Sequence, residues 1–113
     1  MTDFEYARPL ACVPDAIPAA ERATHFARLR HLFDNAAQER ADVPNGYSWR
    51  FSPDALSEVA AFVSLERKCC PFLRFRIEMG PDQGSVWLTM DGPDGTRSFL
   101  EAELGVAGTS ASS

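Results

Sequence analysis

The chain has only three cysteines in 113 residues, and no two of them form a C-x-x-C pair. A structural zinc site built from cysteines usually has four ligands, with two-residue spacers that turn two sulfurs towards one ion. Catalytic disulfide centres commonly use the same spacer. The sequence therefore argues against both kinds of site, and the cysteines need another explanation.

The sequence also lacks a long apolar run, a signal peptide and an excess of basic residues. No stretch approaches the roughly 18 apolar residues that a membrane span needs, and the acidic N-terminus, Met-Thr-Asp-Phe-Glu-Tyr, has neither region of a secretory signal. A net charge of −5 argues against binding to nucleic acid. We therefore expect a cytoplasmic protein without membrane or nucleic-acid partners, with its three cysteines reduced.

The length predicts one domain with an ordinary apolar core. Hydrophobic residues make up 45% of the chain and charged residues 24%, which is typical of a soluble globular protein. Residues 1–104 carry all the periodic segments and should form a single domain. Residues 105–113 are small and weakly apolar, so we predict a disordered tail.

Hydrophobic periodicity predicts strands at 4–13, 47–51, 72–79 and 85–91, helices at 19–37 and 53–70, and a short last helix carrying Phe99, Leu100 and Leu104. The polar segment 38–46 is typical of a loop and turn. The predicted order is β-α-β-α-β-β-α. It favours a two-layer α+β fold with a four-stranded, mainly antiparallel sheet, helices on one face, and a generally ferredoxin-like layout.

The other face of that sheet should be partly aromatic and partly cationic. If the three later strands lie side by side, the residues exposed there are Arg50, Phe72, Arg74, Arg76, Trp87 and Thr89. Such a face suits a homodimer interface or an anionic ligand. An ordinary solvated surface is an equally good interpretation.

Two of the three cysteines lie where the second long helix should end. Pro71 pushes Cys70 out of helical geometry, so Cys70 should mark the end of the helix and the start of the next element. At about 100° per residue, Glu66 and Cys70 share the apolar face. A carboxylate is therefore expected on an apolar face, one turn before a thiol.

Three thiolates without further sulfur ligands suit soft ions such as Hg(II), As(III) or Cu(I) better than Mg or Ca. The hypothesis requires Cys12, at the end of the first predicted strand, to reach Cys69 and Cys70. The alternative is that the three cysteines only fill space in the core, as buried cysteines often do.

Glu66 needs a partner, because a carboxylate on an apolar face is costly when unpaired. Arg22, in the apolar arc of the first helix, is the predicted partner in a structural ion pair. The functional alternative is that Glu66 supports or deprotonates Cys70. His25 lies in the same arc, where it is either a packed boundary residue or a ligand or base.

The stretch Glu66-x-x-Cys69-Cys70-x-Phe72-x-x-Phe75, with Leu10-x-Cys12 upstream, resembles a group of small bacterial proteins with the signature E-x-x-C-C-x-F-x-x-F. Some members of the group are associated with mercury or arsenic resistance. The resemblance implies a thiol-based role towards heavy metals and no particular reaction.

Three hypotheses follow from the sequence. The first is a soft-metal or metalloid-binding protein with Cys12, Cys69 and Cys70 as ligands. The second is a thiol-dependent enzyme with Cys69 or Cys70 as nucleophile and Glu66 or His25 as base. The third is a homodimeric interaction module, joined through the cationic sheet face, whose cysteines are structural.

Overall fold

The structure, a computed structural model, describes residues 10–104. These residues form an α+β fold of three helices and four strands, which confirms the predicted fold class. The elements are α1 Ala19–Arg30, β1 Glu39–Val43, β2 Gly46–Phe51, α2 Leu56–Cys69, β3 Arg74–Met79, β4 Val86–Asp91 and α3 Thr96–Leu104. A π-helical turn, His31–Ala36, continues α1, and 3-10 turns at Pro14–Ala16 and Pro53–Ala55 precede α1 and α2.

The four strands form one sheet in the order β1-β2-β4-β3, and each neighbouring pair is antiparallel. Strands β2 and β3 flank β4 and therefore run parallel to each other. Helix α2 makes the connection between them, since parallel strands need a crossover rather than a tight turn. The predicted hairpin of residues 72–79 and 85–91 is confirmed as the β3–β4 pair.

The core lies between the helices and one face of the sheet. Tyr47, Trp49 and Phe51 alternate along β2 and are all at most 3% exposed, as their spacing predicts. Phe33, which follows α1, packs edge-on against Trp49 and Phe51, and also against Phe62 of α2. The helices thus cover the aromatic face. Among the described residues, no helix combines the length and apolar character that crossing a membrane requires.

The prediction of a loop over 38–46 is wrong. Glu39–Val43 is a strand that pairs with β2, and only Pro44 and Asn45 form the turn between them. Asn45 has a positive φ of 56°, which asparagine tolerates in tight hairpin turns. Hydrophobic periodicity does not reveal this strand because it lies at the edge of the sheet, where charged residues are common.

The first predicted strand, 4–13, falls mainly outside the described residues. Its described part, residues 10–13, is not a strand. The order within residues 10–104 is therefore α-β-β-α-β-β-α, and β1 is one of the four strands described there. The ferredoxin-like layout stays a prediction, and the predicted disordered tail, 105–113, lies outside the described residues.

The outer face of the sheet carries most of the predicted residues, but two of its arginines are paired. Arg50 bonds Glu39 and Gln38, and Arg74 makes two hydrogen bonds of 2.8 and 2.9 Å with Asp91. Phe72 is not on this face, since it precedes β3 and packs on Phe99 of α3. Arg76, Trp87 and Thr89 do lie on neighbouring strands there. The homodimer stays a prediction.

Gly46 opens β2 where its backbone lies against β4. A Cβ built there would overlap the carbonyl oxygen of Met90, which cannot move without disturbing the sheet. We expect Gly46→Ala to lower the free energy of unfolding by about 1–3 kcal/mol, measured by urea denaturation. Gly80→Ala is the matched control, since its nearest neighbour lies 3.9 Å away. Equal effects of the two changes would contradict this packing.

Candidate functional site

The second long helix ends where the sequence predicts. Helix α2 closes at Cys69, and Cys70 has left helical geometry with φ −119° and ψ 77°. The backbone N–H of Cys70 still donates to the carbonyl of Glu66, at 2.7 Å. Both cysteines are fully buried. The joint therefore holds two sulfur atoms and a carboxylate in one small volume.

A backbone hydrogen bond brings Cys12 to this joint. The N–H of Val13 donates to the carbonyl of Cys69 at 2.7 Å. The last carbonyls of an α-helix have no partner within the helix, so the segment before α1 satisfies one of them. Cys12, the residue before Val13, is consequently held beside the end of α2.

Cys12 and Cys70 form a disulfide across 58 positions of the chain, with their Cα atoms 4.5 Å apart. The expectation of three reduced cysteines is therefore wrong for this state of the protein. A disulfide needs its two Cβ atoms close together, and the Val13–Cys69 bond supplies that proximity. Cys69 is the one free thiol of the three and is buried.

The structure brings together the three predicted thiol ligands. The sulfur atoms of Cys12, Cys69 and Cys70 all lie within 4.8 Å of one another. Cys69 and Cys70 are enclosed, whereas Cys12 is only partly buried. The cluster therefore reaches solvent on the side of Cys12.

Glu66 pairs with His25 rather than with Arg22. Its Oε1 lies 2.8 Å from His25 Nε2, and both side chains are at most 1% exposed. Arg22 instead contacts Asp15 and donates to the backbone carbonyls of Pro14 and Ile17. The predicted Glu66–Arg22 pair is wrong because Arg22 lies near the start of α1, while His25 lies one turn further on.

His25 is neither a boundary residue bonded to water or backbone nor a ligand of the sulfur cluster. Its ring stacks on that of Phe62, with the ring centroids 5.4 Å apart, and its Nε2 is hydrogen-bonded to Glu66 Oε1. Within the described part of the chain, its Nδ1 has no hydrogen-bond partner. The ring therefore fixes Glu66, whose second oxygen, Oε2, lies 3.3 Å from Cys70 Sγ.

Glu103 of α3 belongs to the site and was missed by the sequence prediction. Its Oε2 lies 3.4 Å from Cys12 Sγ and 3.9 Å from Cys70 Sγ. A disulfide sulfur carries no hydrogen, so these are close contacts in the oxidised protein and become hydrogen bonds only when the thiols form. Two carboxylates therefore flank the disulfide.

A sequence signal for Glu103 does exist. It lies between Leu100 and Leu104, three residues after the first and one before the second, and both leucines are buried. At helical spacing, Glu103 therefore borders the apolar face of α3, as Glu66 does on α2. Acidic residues on apolar faces of two helices are a stronger pattern together than either is alone.

The site is short of positive charge. Burial raises the pKa of Glu103 to about 8, with the charge of Glu66 and a hydrogen bond to it as further causes, and Arg30 opposes the shift. Burial also raises the pKa of the Cys69 thiol to about 11, and the charges of Glu66 and Glu103 add to that shift. The charges of Glu66 and Glu103 therefore make ionisation of the Cys69 thiol harder, and the charge of Glu66 does the same for Glu103.

A groove of about 370 Å³ lies next to the joint, lined by Val63, Arg67, Pro71, Leu73 and Phe75. Neither the cysteines nor Glu66 and His25 line it. The groove is therefore separate from the cluster of sulfur atoms and carboxylates.

Comparison with protein-family models, with curated proteins and with solved structures finds no match to this chain.

Proposed function

We propose that the reduced protein binds one thiophilic ion, of the Hg(II), As(III) or Cu(I) class, through Cys12, Cys69 and Cys70. The observation that carries the proposal is the approach of the three sulfur atoms to within 4.8 Å of one another, from segments far apart in the chain. Soft thiolate ligands select soft ions, and three of them suit an ion that needs no fourth ligand.

The charge of the site supports this function. The Cys69 thiol and the Glu103 carboxyl group lie where burial and neighbouring negative charge disfavour their anions. A bound cation reverses that balance, because its own charge is the largest in the site and favours deprotonated ligands. Binding should therefore release protons.

The disulfide makes binding depend on the redox state. In the oxidised protein, the sulfurs of Cys12 and Cys70 are bonded to each other, leaving Cys69 as a single thiol. A dithiol reductant supplies two electrons, breaks the S–S bond, and leaves as its own disulfide, while Cys12 and Cys70 each gain a proton. The partly exposed Cys12 is the sulfur that a reductant reaches more readily.

The geometry favours ion binding over nucleophilic catalysis. A catalytic thiol needs a lowered pKa, whereas burial raises the pKa of Cys69 to about 11. His25, a candidate base, is engaged by Glu66 and not by a sulfur. The adjacent groove also contains no cysteine.

The test compares the oxidised and reduced forms of the full chain. A chromogenic thiol reagent in denaturant should find one thiol in the oxidised protein and three after reduction. We expect the reduced form to bind one As(III) or Hg(II) per chain, to lose all three reactive thiols and to release protons, with a higher melting temperature. The oxidised form should lack this site.

The control is the same titration after the thiols of the reduced protein have been alkylated. Binding that survives alkylation, or that is equally strong in the oxidised protein, would show that the ion does not use these sulfurs. A loss of only two thiols per bound As(III) would contradict the three-ligand site.

A further inference from the structure

The two sulfurs of the disulfide also belong to a second set of ligand atoms. An oxygen of Glu66 and an oxygen of Glu103 lie with the sulfurs of Cys12 and Cys70 so that all four atoms are within 4.8 Å of one another. Cys69 is not part of this set. The sulfur pair thus belongs to two sets of ligand atoms, one completed by the Cys69 thiol and the other by two carboxylates.

Three of the four sulfur–oxygen distances in this second set are close to those of a tetrahedral zinc site. Bonds of about 2.3 Å to sulfur and about 2.1 Å to oxygen separate a sulfur and an oxygen ligand by about 3.6 Å. In the structure, the sulfur–oxygen distances are 3.4 Å for Cys12–Glu103, 3.3 Å for Cys70–Glu66 and 3.9 Å for Cys70–Glu103. Reduction then has only to let the two sulfurs move from bonding distance to about 3.8 Å.

The two carboxylates have different surroundings. His25 Nε2 takes one oxygen of Glu66 at 2.8 Å and leaves Oε2 towards the sulfurs, which is how buried neighbours commonly orient metal ligands. The Oε1 of Glu103 is buried and, among the described residues, has no hydrogen-bond partner. The Glu103 oxygen that lies near both sulfurs, and that would bind the ion, is Oε2.

We propose that the reduced protein also binds a borderline divalent ion of the zinc class through Cys12, Cys70, Glu66 and Glu103. Two thiolates and two carboxylates suit Zn(II) or Co(II) better than Hg(II) or As(III), since carboxylate oxygen is the harder ligand. The proposal shares the reduced Cys12 and Cys70 with the proposed function but not Cys69. The two ions therefore compete for one sulfur pair.

The test uses Co(II) and Zn(II) with the reduced full chain in the absence of oxygen. Co(II) should give the visible bands of a tetrahedral complex, and its sulfur-to-cobalt absorption should have the intensity of two thiolates. Zn(II) should displace it, with an affinity measured against a chromogenic chelator. A spectrum with three thiolates, or no binding of either ion, would overturn the proposal.

Two variants separate this site from the three-thiolate site. Glu103→Gln should weaken Zn(II) binding at least tenfold more than it weakens As(III) binding, while Glu78→Gln, an exposed control, should change neither. Cys69→Ser should weaken As(III) binding and leave Zn(II) within threefold. Zn(II) binding that follows Cys69 rather than Glu103 contradicts the second site. Loss of As(III) binding from the parent alone contradicts the proposed function and leaves the zinc-class site standing.

Discussion

Changing His25 to alanine should lower the free energy of unfolding by about 3–5 kcal/mol. The reason is the 2.8 Å contact between His25 Nε2 and Glu66 Oε1, in which both side chains are at most 1% exposed. Removing the ring leaves a buried carboxylate without its partner and also removes the stack on Phe62. Urea denaturation of the oxidised protein gives the free energy directly.

The control is Arg22→Ala, which should cost at most about 1 kcal/mol because Arg22 pairs with the exposed Asp15. Replacing His25 and Glu66 together by leucine should recover much of the loss, since the buried charge disappears with its partner. The two single changes should therefore be strongly non-additive. Additive losses, or equal effects of the His25 and Arg22 changes, would show that this pair does not hold the helices together.

Stability should fall as the pH rises, because of Glu103. Its pKa is raised to about 8 in the folded protein from an ordinary 4.5, so between these values the folded chain keeps a proton that the unfolded chain has lost. The free energy of unfolding is therefore highest below the ordinary value and declines until the folded value is passed. The total decline should be about 2–5 kcal/mol.

The groups facing Glu103 set the size of this effect. Glu66 raises the pKa of Glu103, Arg30 lowers it, and the disulfide sulfurs carry no charge in the oxidised protein. In Glu103→Gln the decline attributed to Glu103 should disappear, and the variant should be the more stable of the two at about pH 8. Glu78→Gln should retain the slope of the parent. A Glu103→Gln protein with the parent's slope would place the proton elsewhere.

The fold class followed from the sequence because most of its elements have strong periods. The alternation of Tyr47, Trp49 and Phe51 predicts a half-buried strand, and these residues do face the core. Strand β1 was missed because three of its five residues are charged and it lies at an edge, where pairing with β2 rather than burial stabilises it. Pairing between backbones leaves little trace in side-chain periodicity.

Part of the site was also within reach of the sequence. Pro71 fixed the end of α2, and the shared apolar face placed Glu66 one turn before Cys70. The partner of Glu66 depends on the position of α1 along the axis of α2, which hydrophobic periodicity does not determine. The Val13–Cys69 hydrogen bond brings Cys12 close to Cys70, where the two form a disulfide. This hydrogen bond joins two backbone groups, so no side-chain pattern predicts it.

The structure shows the oxidised state of the sulfur cluster. The disulfide closes the site, and reduction frees two sulfurs beside the buried Cys69 thiol. Because the three sulfurs come from two distant segments, a true three-ligand site has to depend on all of them. A vicinal pair that binds ions by itself would depend on Cys69 and Cys70 only.

The most direct test is therefore the As(III) affinity of the reduced parent beside Cys12→Ser, Cys69→Ser and Cys70→Ser, with the melting temperature of each variant measured separately. As(III) forms three bonds to sulfur, so each change should weaken binding by at least about 100-fold, equal to about 2.8 kcal/mol. Parent-like affinity in Cys12→Ser would contradict the three-thiolate site and leave only the neighbouring cysteines as ligands.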